Sequence, residues 1–437
     1  MAKTISWKAG FRSFLFWSIV SAAFIGPGTV TTAAKAGASF QLALLWALVF
    51  SVIATIFLQE AAARLTIASG KSLGEIIALR YRGHRGQRVK YLIFAAVAFG
   101  CAAYQAGNML GALSGLALIS DWPLHWITPL LALFCGALLW IGNFRIIANL
   151  LGLIVALMGL AFVYAAVQSG WTGGQVLGAM AQVAIPEGSI LLIVGLVGTT
   201  IVPYNLFLAS GISQGQEILE MRVGVILAVL IGGLISIAIL LVGTQIVEPF
   251  SFSALAQTLA QRSGNWLAAL FGFGLFAAGM SSSITAPLAA AVTARSLFDA
   301  DSGKWSPQSR NFRLVWGSIL GIGLLFGSLA VKPIPAIILA QAINGILLPL
   351  VASFLLLAIN DQQLIPALYR NTLLTNLVLL GIVGLSGFLG LHNVLKALLK
   401  VLPQAPWTAN QSLGMATIGA MLLVGYLAYR IWWRAPR

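Results

Sequence analysis

The sequence predicts an all-α polytopic membrane protein. Three observations carry that prediction. The 437 residues are 59% hydrophobic and only 8% charged, with a mean hydropathy of +0.96, too little polar surface for a soluble protein of this size. Apolar runs recur along the whole length, and a run of about 20 residues crosses a bilayer core of roughly 30 Å as a helix. Two of the runs are interrupted near their middle by Pro and Gly. The elements follow in order as twelve predicted spans, at 13–33, 43–66, 91–119, 124–142, 146–168, 189–212, 222–246, 266–294, 313–330, 334–358, 371–390 and 412–432. The basic start followed by an apolar run is signal-like, yet the run continues through Gly26-Pro27, so it is read as an uncleaved first span.

The formal charge of +15 reports orientation. With the N-terminus inside, 20 of the 25 Lys and Arg fall on the cytoplasmic side and 5 outside, a strong positive-inside bias. Both termini are therefore expected in the cytoplasm, in a multi-pass protein of the plasma (inner) membrane. The basic stretch RYRGHRGQRVK (80–90) is read as a loop against the inner leaflet, with no nucleic-acid partner. Cys101 and Cys135 lie inside apolar runs, and His84, His125 and His392 are scattered, so neither a disulfide framework nor a metal cluster is indicated. The stretch ASGKSLGE (68–75) falls short of a phosphate loop, because Leu65 stands where that motif needs glycine. Trp432, Trp433 and Arg434 read as an interfacial anchor. No cofactor is expected, and no nucleophile–base pair points to an enzyme.

The breaks are more informative. The first span is interrupted at Gly26-Pro27-Gly28-Thr29, within SAAFIGPGTVTTAA, and the sixth at Val202-Pro203-Tyr204-Asn205. Unwound backbone inside a bilayer is tolerated where it lines a cavity or is buried in protein. Each break opens a unit of five spans. Five is odd, so the second unit enters the membrane from the opposite side, the arithmetic of an inverted repeat. The expected organisation is one transporter domain over 1–437, with repeats at 12–168 and 189–358 and accessory helices at 371–432. Broken helices at matching positions of two halves point to a substrate site at the midplane.

These residues resemble the Nramp family of divalent-metal transporters, which have the LeuT-type fold. GPGTVTTAAKAGASF stands where that family has Asp-Pro-Gly-Asn, and GTTIVPYNLFLAS (198–210) is similar to its sixth span. QEAAARL (59–65), FGLFAAGMSSSITAPLAAA (273–291) and LAQAINGILLPL (339–350), followed by IND, resemble its second, eighth and tenth spans. The resemblance runs from about residue 12 to 360. It implies a LeuT-like 5+5 inverted repeat, 11–12 membrane helices and metal-ion transport.

The departures bear on chemistry. Gly26 replaces the family's metal-binding aspartate, Thr29 its asparagine, and Val202 the methionine whose soft sulfur selects transition metals. Tyr204 and Ala209 replace two histidines. Gln105 and Asn108, in AYQAGNML, stand where the family has an Asp-x-x-Glu pair, a former proton path now neutral. None of the usual carboxylate or thioether ligands remains. The implied substrate-binding set is Gly26, Thr29, Thr199, Val202, Tyr204, Asn205 and Gln341, with Pro27, Gly28 and Pro203 at the breaks. It offers hydroxyls, amides and freed carbonyls, including that of Thr199. A bare divalent ion without counter-charge costs several kcal/mol or more in such surroundings.

Three readings follow for function. The protein moves a metal cation, hydrated or complexed, through a cavity widened at Gly26, Val202 and Ala209 and without proton coupling. Or it moves another small polar solute, or it is a receptor-like relic that no longer transports. Among the ten acids, Glu60 lies nearest the membrane interior. It reads either as an exposed i,i+4 pair with Arg64 or, with Arg64, as an inner-gate contact. Ser281-Ser282-Ser283 and GALSG (111–115) read first as packing motifs.

Overall fold

The computed structural model describes residues 25–142, 145–247, 249–299, 303–329, 331–401 and 407–433. Within these residues the chain is helical throughout. The helices, in chain order, are α1 (Pro27–Phe40), α2 (Leu45–Ser69), α3 (Leu73–Arg80), α4 (Gly83–Ala117), α5 (Leu124–Ile141), α6 (Arg145–Val167), α7 (Gly173–Ala181) and α8 (Ile190–Thr200). They continue as α9 (Pro203–Ile212), α10 (Ile218–Gly243), α11 (Phe252–Ser263), α12 (Asn265–Phe298), α13 (Arg310–Ser328), α14 (Pro333–Ile359), α15 (Leu373–Val401) and α16 (Ala409–Trp432).

Ten helical stretches among the described residues are long and apolar enough to cross a membrane, and Trp126–Ile141 is a shorter apolar helix. The twelve predicted spans map onto these. The stretch Pro27–Ser69 joins the second half of the first span to the whole of the second. The two halves are separated by a sharp turn at Gln41, whose φ is 51°, and one turn of 3-10 helix over Gln41–Leu44. The first half of span one, including Ser21 to Phe24 of its break, lies outside the described residues, as do the anchor residue Arg434 and basic residues of both termini.

One local expectation is corrected. Most of the basic stretch 80–90 is helix, because α4 starts at Gly83 and carries its first two turns out beyond the apolar run. Gly83 supplies the positive φ of 73° at the turn, and Gly86 lies where a Cβ would meet the Tyr81 backbone at 2.2 Å. The connections also hold short amphipathic helices. In α3, Leu73, Ile76 and Ile77 are buried, and in α11 Phe252, Leu255 and Leu259 are, the i, i+3, i+4, i+7 spacing of a helix lying on a surface. Ser72-Glu75, Thr172-Gln175 and Thr408-Gln411 form capping boxes that start α3, α7 and α16. The glycine-lysine-serine stretch near residue 70 is thus a helix C-cap followed by a helix start.

Water provides no drive for one apolar helix to meet another inside a bilayer, so close packing does. Small residues permit it here. A Cβ on Gly37 of α1 would lie 2.1 Å from the Leu240 carbonyl oxygen, and one on Gly243 of α10 would lie 2.3 Å from that of Ala34. On α8, a Cβ at Gly198 would meet the Gln341 carbonyl oxygen at 2.0 Å, while Gly345 of α14 faces the Val194 carbonyl. Gly115 of α4 faces the Phe276 amide of α12. These contacts place α1 and α8 at the centre, enclosed by α4, α10, α12 and α14. The outward faces carry large exposed aliphatics such as Leu133, Ile146 and Leu422, as lipid contact requires.

Candidate substrate site at the helix breaks

The break between α8 and α9 follows from Pro203. Proline has no N–H, so it cannot serve the carbonyl of Thr199 four residues before. Ile201 and Val202 leave the helix, with ψ of 81° and 122°, and Pro203 takes the first position of α9. The neighbouring Gly198 carbonyl is recovered by Tyr104 of α4, whose hydroxyl donates to it at 2.7 Å. The Tyr104 ring meets the Tyr204 ring edge to face, 5.8 Å between centroids. α1 begins in the same way, with Gly26 extended and Pro27 at its first position. The Pro27 ring rests on Gly111 of α4, where a Cβ would stand 2.1 Å from it. Within GALSG, packing is thus the observed role of both glycines.

The two breaks meet through Thr29 and Thr199, whose hydroxyl oxygens are 2.9 Å apart. Gln341, in the first half of α14, lays its amide over Gly28: a Cβ there would be 2.0 Å from Nε2 and 2.3 Å from Cδ. Ser282 of α12 closes the fourth side, its Oγ 3.2 Å from where a Cβ on Gly26 would stand. Thr29, Thr199, Val202, Tyr204, Asn205 and Gln341 are each at most 1% exposed, so the cluster is buried. Both amide atoms of Asn205, both of Gln341 and the Tyr204 hydroxyl have no hydrogen-bond partner within the described protein. Buried polar atoms usually find one. The cluster combines neutral donors and acceptors able to bind a polar or hydrated guest. Among the described residues no group of three or more His, Cys, Asp or Glu could hold a metal ion.

The residues implied by the resemblance separate into two sets. Gly28, Thr29, Thr199 and Gln341 converge as described, and Val202, Tyr204 and Asn205 line the second break. Gln105 points elsewhere, packing over Gly323 of α13, where a Cβ would lie 2.7 Å from its Cγ. Asn108 sits where α4 crosses Gly279 of α12. Ala209 is buried in α9 and its carbonyl accepts from the Ser213 hydroxyl. Of the three residues expected to widen the cavity, Gly26 faces the Ser282 hydroxyl, 3.2 Å from where a Cβ would stand, and Val202 and Ala209 are buried. The sequence gives no prior sign of Tyr104, although it adjoins Gln105 in AYQAGNML, and Ser282, read first as packing, stands at the break. Its signal was a serine run on a membrane helix.

Glu60 and Arg64 lie apart from the breaks, toward the end of α2. Arg64 Nε donates to both Glu60 oxygens at 2.9 and 3.1 Å, and Arg222 Nε donates to Glu60 at 2.9 Å. Arg64 also donates to the Tyr369 carbonyl and to Asn371 Oδ1. The expectation of an exposed pair is corrected: the Arg64 side chain is 5% exposed and that of Glu60 16%. The reason is tertiary, since the segment between α14 and α15 folds over them.

An all-helical membrane bundle that buries a broken helix against a second proline-started helix defines the class: a membrane transporter of the LeuT-type fold. The Nramp family profile, described as natural resistance-associated macrophage protein-like, matches residues 18–396, and the chain belongs to that family. It is 25% identical over 372 residues to the divalent metal cation transporter MntH of Verminephrobacter eiseniae, covering 81% of this chain and 82% of the relative. To the MntH of a Nostoc species it is 27% identical over 412 residues, covering 88% and 91%. The Eremococcus coleocola manganese transporter shares the fold with a TM-score of 0.73 at 20% identity, over 99% of this chain and 96% of that one. A nucleobase-cation-symport-1 family transporter, solved in a closed conformation, shares it at 0.54 with 17% identity, over 97% and 93%.

Proposed function

We propose that this protein carries a metal cation across the membrane with much of its hydration or a chelating partner retained, down its gradient and without moving protons. Its curated relatives are named as divalent metal cation transporters, which supports the class of cargo. The single observation behind the finer reading is the neutral cluster at the breaks: the Thr29–Thr199 hydroxyl pair with the unpartnered amides of Asn205 and Gln341. Hard divalent ions that shed their water take several oxygens and usually carboxylates, and soft sulfur selects transition metals. With neither present, an ion is better accommodated through its water. The same lining favours a second reading, an uncharged polar solute that hydrogen-bonds both ways.

The proposed orientation has both termini in the cytoplasm of a bacterial-type inner membrane, with repeats over 12–168 and 189–358. The test uses full-length protein in proteoliposomes with Mn²⁺, Mg²⁺ and Ca²⁺, each free and as its citrate complex. Uptake with little discrimination between Mn²⁺ and Ca²⁺, lost in Gln341→Ala, is the expected result. Tight Mn²⁺ selectivity, or no uptake of any metal species under a gradient, would overturn the proposal, and only the second outcome leaves the polar-solute reading standing.

A further inference from the structure

A groove of about 580 Å³ runs between the end of α5 and the start of α13, lined by Trp140, Gln308, Arg310, Arg313, Leu314 and Trp316. It shares no lining residue with the helix breaks and plays no part in the proposed transport. Arg310 and Arg313 stand one turn apart at the beginning of α13. The Arg313 guanidinium carbon lies 3.7 Å from the centre of the Trp140 ring, a cation–π contact that fixes the plane of the guanidinium. Neither arginine makes a salt bridge with a described residue. Two charges therefore face the groove uncompensated, although the chain has acids enough elsewhere to pair Arg64, Arg80 and Arg222.

The groove also has an apolar side. Trp140 is 61% exposed, and Ile141 and Leu314 beside it expose aliphatic surface on the outer face of the bundle. Trp316 is buried and forms its inner wall. The site thus joins two fixed cations, an interfacial tryptophan and a lipid-facing apolar wall at one end of the membrane helices. A soluble anion would use the arginines and leave the apolar wall idle. A zwitterionic lipid would use the wall and bring its own cation to the arginines. An anionic lipid uses both. Basic pockets between membrane helices are known to hold anionic head groups, and arginine is suited to phosphate because its fork binds two oxygens at once.

We propose that this groove is a binding site for an anionic phospholipid, its phosphate held by Arg310 and Arg313 and its acyl chains along Leu314 and Ile141. By the positive-inside reading the lipid belongs to the inner leaflet, but the site's chemistry does not depend on sidedness.

The test is native mass spectrometry of the full-length protein, stripped of lipid in detergent and titrated with dioleoylphosphatidylglycerol, dioleoylphosphatidylcholine or inorganic phosphate. Wild type should bind one phosphatidylglycerol more tightly than the rest, well ahead of phosphatidylcholine. Near a membrane surface each arginine removed should weaken that binding about fivefold. R310Q/R313Q should therefore lose the tight lipid, whereas R85Q, on the basic start of α4, should keep it. Equal binding by R310Q/R313Q and wild type, equal binding of the two lipids, or displacement of phosphatidylglycerol by equimolar inorganic phosphate would overturn the proposal. If the double variant does not fold, Trp140→Ala and Arg313→Lys carry the test: each should weaken the lipid at least twofold, and unchanged affinity in both overturns it.

Discussion

Pro203 acts through one missing hydrogen. By withholding an N–H it leaves the Thr199 carbonyl unserved and lets the chain turn at Val202. Gly28 acts through a missing methyl, since only a residue without Cβ leaves room for the Gln341 amide. Gly28→Ala should push that amide aside and, if Gln341 contacts the cargo, lower uptake in proteoliposomes about tenfold, roughly the effect of one lost hydrogen bond to a charged group. Unchanged uptake would exclude Gln341 from the path. Gly26 is more permissive, because its nearest neighbour would be the rotatable Ser282 hydroxyl at 3.2 Å. The double variant Gly26→Asp with Val202→Met should consequently fold and bind Mn²⁺ more tightly than the parent by calorimetry, since it adds a carboxylate and a soft sulfur. Val202→Ala alone should leave metal binding as it was.

At the level of elements, the end of α2 is tied to α10 and to the segment before α15 by one carboxylate and two arginines. Removing the carboxylate leaves Arg64 nearly buried with only a carbonyl and an amide. Glu60→Gln should cost roughly 1–3 kcal/mol, seen as a lower melting temperature in detergent. The contact of α1 with α4 is as exacting. Gly111→Leu would drive a side chain into the Pro27 ring and should cost about 1–3 kcal/mol by overpacking, whereas Gly152→Leu, with open space around it, should be tolerated. A melting curve for Gly111→Leu that matches wild type would contradict the packing described.

The whole molecule carries ten acids, and among the described residues Glu60 is the one taken as a candidate relay. Proton coupling needs a group that changes protonation during the cycle, commonly Asp, Glu or His within the membrane. The resemblance places the relay at Gln105, Asn108, Tyr204 and Ala209, none of which is an acid or a histidine. Cargo uptake measured with a pH dye inside the vesicles should therefore proceed without acidification, in wild type and in Glu60→Gln alike. Acidification that tracks uptake and vanishes in Glu60→Gln would make Glu60 the relay. Sidedness has its own check. With Cys101 and Cys135 both buried, an impermeant maleimide added to intact cells should label Gln261→Cys and leave His84→Cys unlabelled until lysis.

The class of the fold and the proline positions where α1 and α9 begin were decided by the sequence alone. Hydropathy over twenty residues and the covalent nature of proline are local properties, and a bilayer lets the backbone satisfy itself only as a helix. The departures at Gly26, Thr29 and Val202 are legible in the sequence as single substitutions within recognisable segments, and their effect on a cargo belongs to the proposal. The tertiary structure decided the rest. It brought Thr29 and Thr199 together across 170 residues, seated Gln341 on Gly28, turned Gln105 toward Gly323 instead, and enclosed the Glu60–Arg64 pair beneath the segment before α15. Such contacts depend on which face each helix presents to its neighbours. In a membrane that choice rests on glycine-sized gaps and single buried polar groups, and uniformly apolar helices carry little trace of it in their periodicity.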